Sequence, residues 1–337
     1  LDFSERKTLT IIVPAYNSAA TLASCLDSFL DPTILDEIEI LIVNDGSSDE
    51  TAEIARTYEK KHSAFRLINK ENGGHGSVIN HASQIAKGKY MKVIDSDDHV
   101  TNLKPFVEAL REANADVVFT NFKTVDINTG NVRFFNMANT NFGKEIAFDE
   151  FWLHKKYVHQ VCNFHGITYN TDFYLQTRTK LTEHISYEDQ EYATLPFANV
   201  QTVLPLDITL YEYTIGDANQ SVSDKNQVKK IGQLEKVVLR ISNNTPATST
   251  AAISDYFAYK QRDILASYYI AALIKNPNKP SGRKLARDIN QKLKTSANAT
   301  YLMCLVFSYL GISGKAYLKL KNSNVFRVFT TQIRGAN

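Results

Sequence analysis

Three carboxylates fall within four residues at Asp95-Ser96-Asp97-Asp98, directly after the apolar run Tyr90-Met91-Lys92-Val93-Ile94. Charges this close repel one another unless solvent or a cation relieves them. A hard divalent cation prefers oxygen ligands, and Mg2+ takes one or two carboxylates together with substrate phosphates. The quartet therefore predicts a diphosphate held through a metal, Mn2+ or Mg2+; its plain alternative is an acidic loop open to water. No His/Cys cluster at metal-ligand spacing competes for the role.

Asn72-Gly73-Gly74-His75-Gly76-Ser77 is a glycine-rich turn that opens a helix. Glycines let backbone approach a ligand, and a helix N-terminus favours anions. The turn lacks the spacing of a dinucleotide fingerprint and the Lys-Ser/Thr ending of a phosphate loop. Two further apolar runs end in polar, turn-forming residues, at Pro14-Ala15-Tyr16-Asn17 and at Asn44-Asp45-Gly46-Ser47-Ser48-Asp49. Any one of these ends reads equally well as a turn and a helix cap, with Ser18 or Asp49 as the cap. Three in register make a cleft rim, because ligands of open α/β sheets bind outside the carboxyl ends of the strands.

The elements that must position these residues alternate. Leu9–Val13, Glu39–Val43, Phe65–Ile68, Tyr90–Ile94 and Asp116–Phe119 read as strands. Between them Leu22, Cys25, Leu26, Phe29 and Leu30 line one face of a helix. Val78, Ile79, Ala82, Ile85 and Ala86 line another, which Gly88 is expected to end. This alternation predicts an α/β fold with a mostly parallel sheet and helices on both faces. Short strands are expected at Gly166–Tyr169, Gln201–Leu204 and Ile208–Tyr213. Beyond Asp224 the pattern is helical, over Val228–Ser242, Ala251–Lys275, Gly282–Lys294 and Thr300–Leu310. The expected division is a catalytic domain over 1–222, with halves of about 1–125 and 126–222, and a helical C-terminal region over 223–337.

The 337 residues carry a net charge of only +2, which points to no obligate nucleic-acid partner, since phosphate-backbone binding normally calls for a concentrated basic face. Cys25, Cys162 and Cys304 are odd in number and far apart, which suits a reducing compartment. No signal-peptide pattern opens the sequence, and the longest apolar run, near Tyr301–Leu310, is shorter than the about 20 residues a bilayer requires. The expectation is a cytoplasmic protein, with peripheral attachment at the inner face of the membrane as an extension.

Together these residues resemble glycosyltransferase family 2, the inverting enzymes of GT-A fold. Thr10–Asn17 resembles the family's opening strand and nucleotide loop, and Ile42–Asp49 its second signature. Asn72-Gly73-Gly74 precedes the helix that carries Asn80, as in the family, and Lys89–Asp98 is similar to its metal-binding segment. The resemblance implies that Asp45 meets the base or ribose, Asp95 the ribose or metal, and Asp97 the metal and diphosphate. It extends nucleotide contacts to Pro14, Ala15, Tyr16, Asn17, Asn72, Gly73, Gly74, His75, Ser77 and Ser96. Tyr187-Glu188-Asp189-Gln190 resembles the family's acidic motif, so Asp189 is expected to deprotonate the acceptor and Glu188 to assist or orient it.

Two departures stand out. A small or aliphatic residue often fills the place of His75, which here either contacts phosphate or sugar or shapes the turn. Tyr211–Ser223 supplies no Arg or His for the diphosphate; Tyr213, Asn219, Gln220 and Ser221 stand there, with Lys225 and Lys229 following. The resemblance favours a UDP-sugar donor and a glycan or glycoconjugate acceptor of the bacterial polysaccharide, teichoic-acid or glycoprotein kind. Trp152, Tyr157, His159, Phe164 and His165 precede the expected base and could face the acceptor, since aromatic faces suit sugar rings; core packing is the alternative for Trp152 and Phe164.

A sugar-nucleotide pyrophosphorylase is a rival reading, but Pro14–Ala20 lacks the Arg or Lys that would hold a triphosphate. A non-catalytic nucleotide-sugar-binding module is another, at odds with Asp45, Asp95, Asp97 and Asp189 occurring together. Near the C-terminus Tyr301, Leu302, Leu305, Val306, Tyr309 and Leu310 form an apolar stripe, followed by Lys315, Lys319 and Lys321. The plainer expectation is that this stripe packs as core; a basic-flanked surface meeting a membrane or a second copy is the other.

Overall fold

The computed structural model describes residues 6–216, 224–294, 299–312 and 316–317. Strands β1 (Lys7–Ala15), β2 (Ile38–Asp45), β3 (Phe65–Lys70), β4 (Gly88–Val93), β5 (His99–Val100), β6 (Val117–Asp126), β7 (Val132–Phe135), β8 (Ile146–Ala147), β9 (Ile167–Asn170) and β10 (Thr202–Ile215) form one mixed sheet. Its order is β3-β2-β1-β4-β9-β6-β10-β5, with β7 on β6 and β8 on β10. The neighbours β3, β2, β1 and β4 are mutually parallel, whereas β9 is antiparallel to both β4 and β6.

The apolar runs of β1 and β2 are buried on both faces, as strands covered by helices must be. Their register pairs Ala15 with Asn44, Asn44 with Asn69 and Ile12 with Val93. The polar strand ends therefore lie along one edge of the sheet. Helices α1 (Leu22–Asp27), α2 (Thr51–Lys61), α3 (His75–Ile85) and α4 (Leu103–Glu112) make the crossovers. Gly88 does not end α3. It opens β4, where a Cβ would stand 2.2 Å from the Thr10 nitrogen, so only glycine allows β1 and β4 to approach.

The later part of this unit carries α5 (Phe148–Leu153), α6 (Lys155–Val158), α7 (Thr171–Gln176) and α8 (Asp189–Tyr192). The two strands expected over 201–213 are one strand, β10, with register shifts between Leu206 and Tyr211 that let it bend and continue along β6.

The helical part comprises α9 (Asp224–Lys229), α10 (Ile231–Asn243), α11 (Ala251–Tyr269), α12 (Lys279–Leu293) and α13 (Ala299–Tyr309). A π-helical turn over Ile270–Lys275 extends α11 before the Asn276-Pro277 break. The chain divides into two compact units, Leu1–Asp217 with Pro246–Tyr256, and Ala218–Thr245 with Phe257–Asn337. The short returning segment is integral to the first: Tyr256 stacks on Phe197 at 4.5 Å and donates to the Ala193 carbonyl at 2.6 Å. Among the described residues, no helix is long and apolar enough to cross a membrane.

Candidate functional site

The loop after β4 gathers carboxylate oxygens of Asp95, Asp97 and Asp98 within 4.8 Å of one another. Asp98 is fully buried. Its Oδ2 accepts from the Tyr211 hydroxyl at 2.6 Å and its Oδ1 from the Thr214 amide at 2.7 Å, both from β10. Burial and the neighbouring charges of Asp95 and Asp97 push the Asp98 carboxyl well above its ordinary pKa, against the lowering effect of those hydrogen bonds. Tyr211 also accepts from the Asp95 amide at 3.2 Å, so one phenol fixes both ends of the quartet. The Ser96 hydroxyl lies 2.7 Å from that of Ser18, tying the quartet to the loop after β1.

His75, at the start of α3, reaches across to this loop. Its Nε2 lies 2.9 Å from Asp95 Oδ1, and its Nδ1 lies 2.8 Å from Glu188 Oε1, an ion-pair contact off the line of an aligned hydrogen bond. Burial opposes a charge on the imidazole, but the two carboxylates outweigh it and hold His75 protonated well above its usual pKa. Asp95 responds in the opposite sense: burial raises its pKa, and His75, with a smaller effect from His165, brings it below the ordinary carboxylate range. Beside the two sequence readings for His75, contact with phosphate or sugar and turn formation, the geometry gives a third, a cationic bridge between two acidic segments.

Glu188 is 4% exposed, while Asp189, the first residue of α8, is only partly buried and accepts from the Gln190 amide group at 2.8 Å. The preceding segment is conformationally tense: Arg178, His184 and Tyr187 all adopt positive φ, at 53°, 58° and 74°. Side chains rarely take such values unless the surroundings impose them. Two anchors impose them here. Glu191 accepts from Thr182 through both the amide and the hydroxyl at 2.8 Å, and the His184 amide donates to the Gly73 carbonyl at 2.7 Å. Gly76 admits this segment, since a Cβ there would lie 2.6 Å from the Thr182 carbonyl oxygen. Asp98, Asp95, Asp97 and Asp189 all act on Tyr213, whose phenol is raised first by burial and then by these four charges.

Asp45 is 2% exposed and its oxygens are engaged within the protein. Oδ1 meets Lys70 Nζ at 2.6 Å and the Gly73 amide at 3.0 Å, while Oδ2 meets the Gly74 amide at 2.8 Å. Lys70 also meets the Ser77 hydroxyl at 2.9 Å, and Asn72 donates to the Asp45 carbonyl at 2.9 Å. Asp45 thus braces the glycine turn, in which Gly74 takes a φ of 83°. Pro14 and Ala15 are buried at the end of β1; Tyr16 is 55% exposed. Asn17, at positive φ, accepts from the Ser48 amide at 2.9 Å and so joins the first two strand ends.

The expected acceptor residues separate. Trp152 is a correction: it is 3% exposed, packs edge-on to Tyr256 at 4.9 Å, and commits its indole N–H to Asp255 at 2.7 Å. It belongs to the core, as large aromatics usually do. The contacts of Tyr157 run to His154, Ala138 and Lys156 rather than to the aspartates. His165 does come to the site. Its ring stacks on Tyr213 at 4.4 Å and meets Tyr211 edge-on at 4.8 Å, and burial lowers its pKa to about 4. Phe164, 5.5 Å from the His75 ring, backs the bridge. Asn219, Gln220 and Ser221 lie outside the described residues, as does the Lys225 side chain; Lys229 is exposed on α9 of the second unit.

Sequence reasoning missed Tyr211, Lys70 and Lys92. Lys92 is fully enclosed, donating to the His165 and Ile167 carbonyls at 2.7 and 3.0 Å, with Tyr211 beneath its ammonium at 5.4 Å. A lysine inside an otherwise apolar strand was the available signal.

A family model described as glycosyl transferase family 2 matches residues 10–185. The glycosyltransferase GlyG of Streptococcus pneumoniae is 32% identical over 145 residues, 42% of this chain and 48% of that protein. The poly(ribitol-phosphate) beta-glucosyltransferase of Bacillus spizizenii is 32% identical over 123 residues, 35% of this chain and 19% of that protein. The matched part spans about half or less of the length of these curated relatives. Among solved structures, S. aureus TarS 1-349 in complex with UDP-GlcNAc is similar with a TM-score of 0.57 at 18% identity, over 90% of this chain and 92% of that one. The mannosyltransferase PcManGT from Pyrobaculum calidifontis, in complex with GDP-Man and Mn2+, is similar with a TM-score of 0.55 at 13% identity, over 98% and 85%. At these identities the likeness is one of fold, the GT-A arrangement.

Proposed function

The chain belongs to glycosyl transferase family 2, and on that premise we propose that it transfers a sugar from a nucleoside-diphosphate donor to an acceptor hydroxyl, with inversion at the anomeric carbon. The observation that carries this reading is the His75 bridge, which brings the Asp95–Asp98 loop and the Glu188-Asp189 pair, far apart in sequence, to one place.

The donor set fits a divalent cation: clustered carboxylate oxygens, one of them on an Asp98 carboxyl whose pKa is raised first by burial and then by repulsion from Asp95 and Asp97, a repulsion that a cation relieves. Asp97 and Asp95, whose carboxylate oxygens cluster in this loop, would hold Mn2+ or Mg2+, with Asp98 held behind them by Tyr211 and Thr214. A cation bound there supplies charge neutralisation for the departing diphosphate. Asp189 takes the acceptor proton as that oxygen bonds to the anomeric carbon and the bond to diphosphate breaks on the opposite face. One displacement without a covalent intermediate inverts the centre. Glu188, buried against His75, positions the segment that carries Asp189. Asp45 takes the Gly73 and Gly74 amides and so orders the turn that opens α3, a helix N-terminus suited to the donor's negative charge.

A UDP-sugar donor is supported by the resemblance and by the UDP-GlcNAc complex of a fold relative. A polysaccharide or teichoic-acid acceptor is supported by a relative that glucosylates poly(ribitol phosphate). The test is a panel of nucleotide sugars incubated with Mn2+ or Mg2+, reading nucleoside diphosphate release. We expect metal-dependent release from a UDP-sugar; no metal-dependent release from any donor would contradict the reading.

A further inference from the structure

We infer that the α12–α13 face of the second unit is a docking surface for an anionic lipid membrane. Helix α13 is sharply two-sided. Tyr301, Cys304 and Ser308 are 8%, 0% and 2% exposed, whereas Leu302, Val306, Tyr309 and Leu310 are 50%, 54%, 69% and 69% exposed. The exposed four fall at i, i+4, i+7 and i+8, one continuous face. The expectation that the whole stripe packs as core therefore fails for its larger part.

Cations border that face. The Arg283 guanidinium of α12 lies 4.5 Å from the Tyr309 ring and 3.3 Å from the Ser308 hydroxyl, and Lys279 donates to the Ile312 carbonyl at 3.4 Å. These contacts set the two helices antiparallel. Lys284 and Arg287 of the same α12 are exposed. The bias extends through the sequence: residues 276–337 hold 11 Lys and Arg but one acidic residue, Asp288, against 27 basic and 35 acidic residues in the rest of the chain. A near-neutral protein thus gathers positive charge in this stretch of sequence, and among the described residues Lys279 and Arg283 meet the end of α13; Lys315, Lys319 and Lys321 lie outside the described residues. Anionic headgroups match the charge, and the acyl boundary takes up Leu, Val and Tyr side chains. A second copy on this face would oppose like charges, and nucleic acid would leave the apolar side chains in water.

The inference does not depend on the donor reading, because its readout is partition to vesicles of the full chain. Sedimentation with phosphatidylcholine vesicles is compared with sedimentation on phosphatidylcholine mixed with phosphatidylglycerol. We expect about tenfold or greater preference for the mixed vesicles, falling with salt. Val306→Asp with Leu310→Asp, and separately Lys284→Glu with Arg287→Glu, should each weaken binding about tenfold or more with unchanged melting temperature, since all four positions are exposed. Equal partition to neutral and anionic vesicles, or undiminished binding by the Val306→Asp/Leu310→Asp chain, overturns the inference. So does a dimer by light scattering that the same pair dissociates.

Discussion

His75 Nε2 lies 2.9 Å from Asp95 Oδ1, so a cation built into the chain already neutralises one carboxylate of the aspartate loop. The other ring nitrogen faces Glu188, whose side chain is 6% exposed. Removing one partner of such a group leaves an uncompensated buried charge, at a cost of about 3–5 kcal/mol. His75→Gln should therefore destabilise the fold strongly, and His75→Gln with Glu188→Gln should cost clearly less than the two single changes summed. Denaturant unfolding checks this; additivity within about 0.5 kcal/mol would mean that the two residues do not interact.

Lys92 predicts a pH dependence of stability. Burial lowers its pKa from 10.5 to about 7 in the folded chain. Between these values the unfolded chain holds the proton and the folded chain releases it, so the unfolded state binds more protons and stability rises with pH. Below about 7 both states are charged and the full penalty of the buried ammonium remains. Lys92→Met removes that charge at similar volume. Its melting temperature relative to the native chain should be most favourable below pH 7 and should decline steadily toward pH 10. A difference that does not change over this range would show that Lys92 is not held in this state.

Asp189→Asn preserves shape and removes the proton acceptor. Transfer should fall by about two orders of magnitude or more, the scale of general-base loss, with donor affinity unchanged. The native enzyme should give a β-linked product from an α-linked donor, read from the anomeric coupling constant by NMR. Near-native transfer by the Asn variant, or an α-linked product, would contradict the single displacement.

The sheet edge was legible because strand ends announce themselves locally. An apolar run followed by Asp95-Ser96-Asp97-Asp98, or by Asn44-Asp45-Gly46, needs no distant partner to be recognised. What the sequence concealed depends on contacts across many residues. Nothing near Lys70 says that it grips Asp45, and nothing near Tyr211 says that it ties Asp95 to Asp98. Trp152 looked available because aromatic type does not encode burial; Asp255, about a hundred residues on, decides it. The same contact bears on the expected boundary at 222, since a cut there would remove Asp255 and Tyr256 from the unit they complete. Helical periodicity found the α13 stripe, but it marks an apolar face without saying whether protein or solvent meets it.

The central claim is that a divalent cation at Asp97 and Asp95 holds the donor diphosphate, and calorimetry tests it most directly. Titrations of UDP, thymidine diphosphate and GDP are run with Mn2+, with Mg2+ and with EDTA, on the native chain and on Asp97→Ala. At least one nucleotide, UDP first, should bind with metal, lose about tenfold or more of its affinity in EDTA, and lose the same metal dependence in Asp97→Ala with the melting temperature preserved. Affinity for the nucleotide that is identical with metal and with EDTA in the native chain would contradict the account.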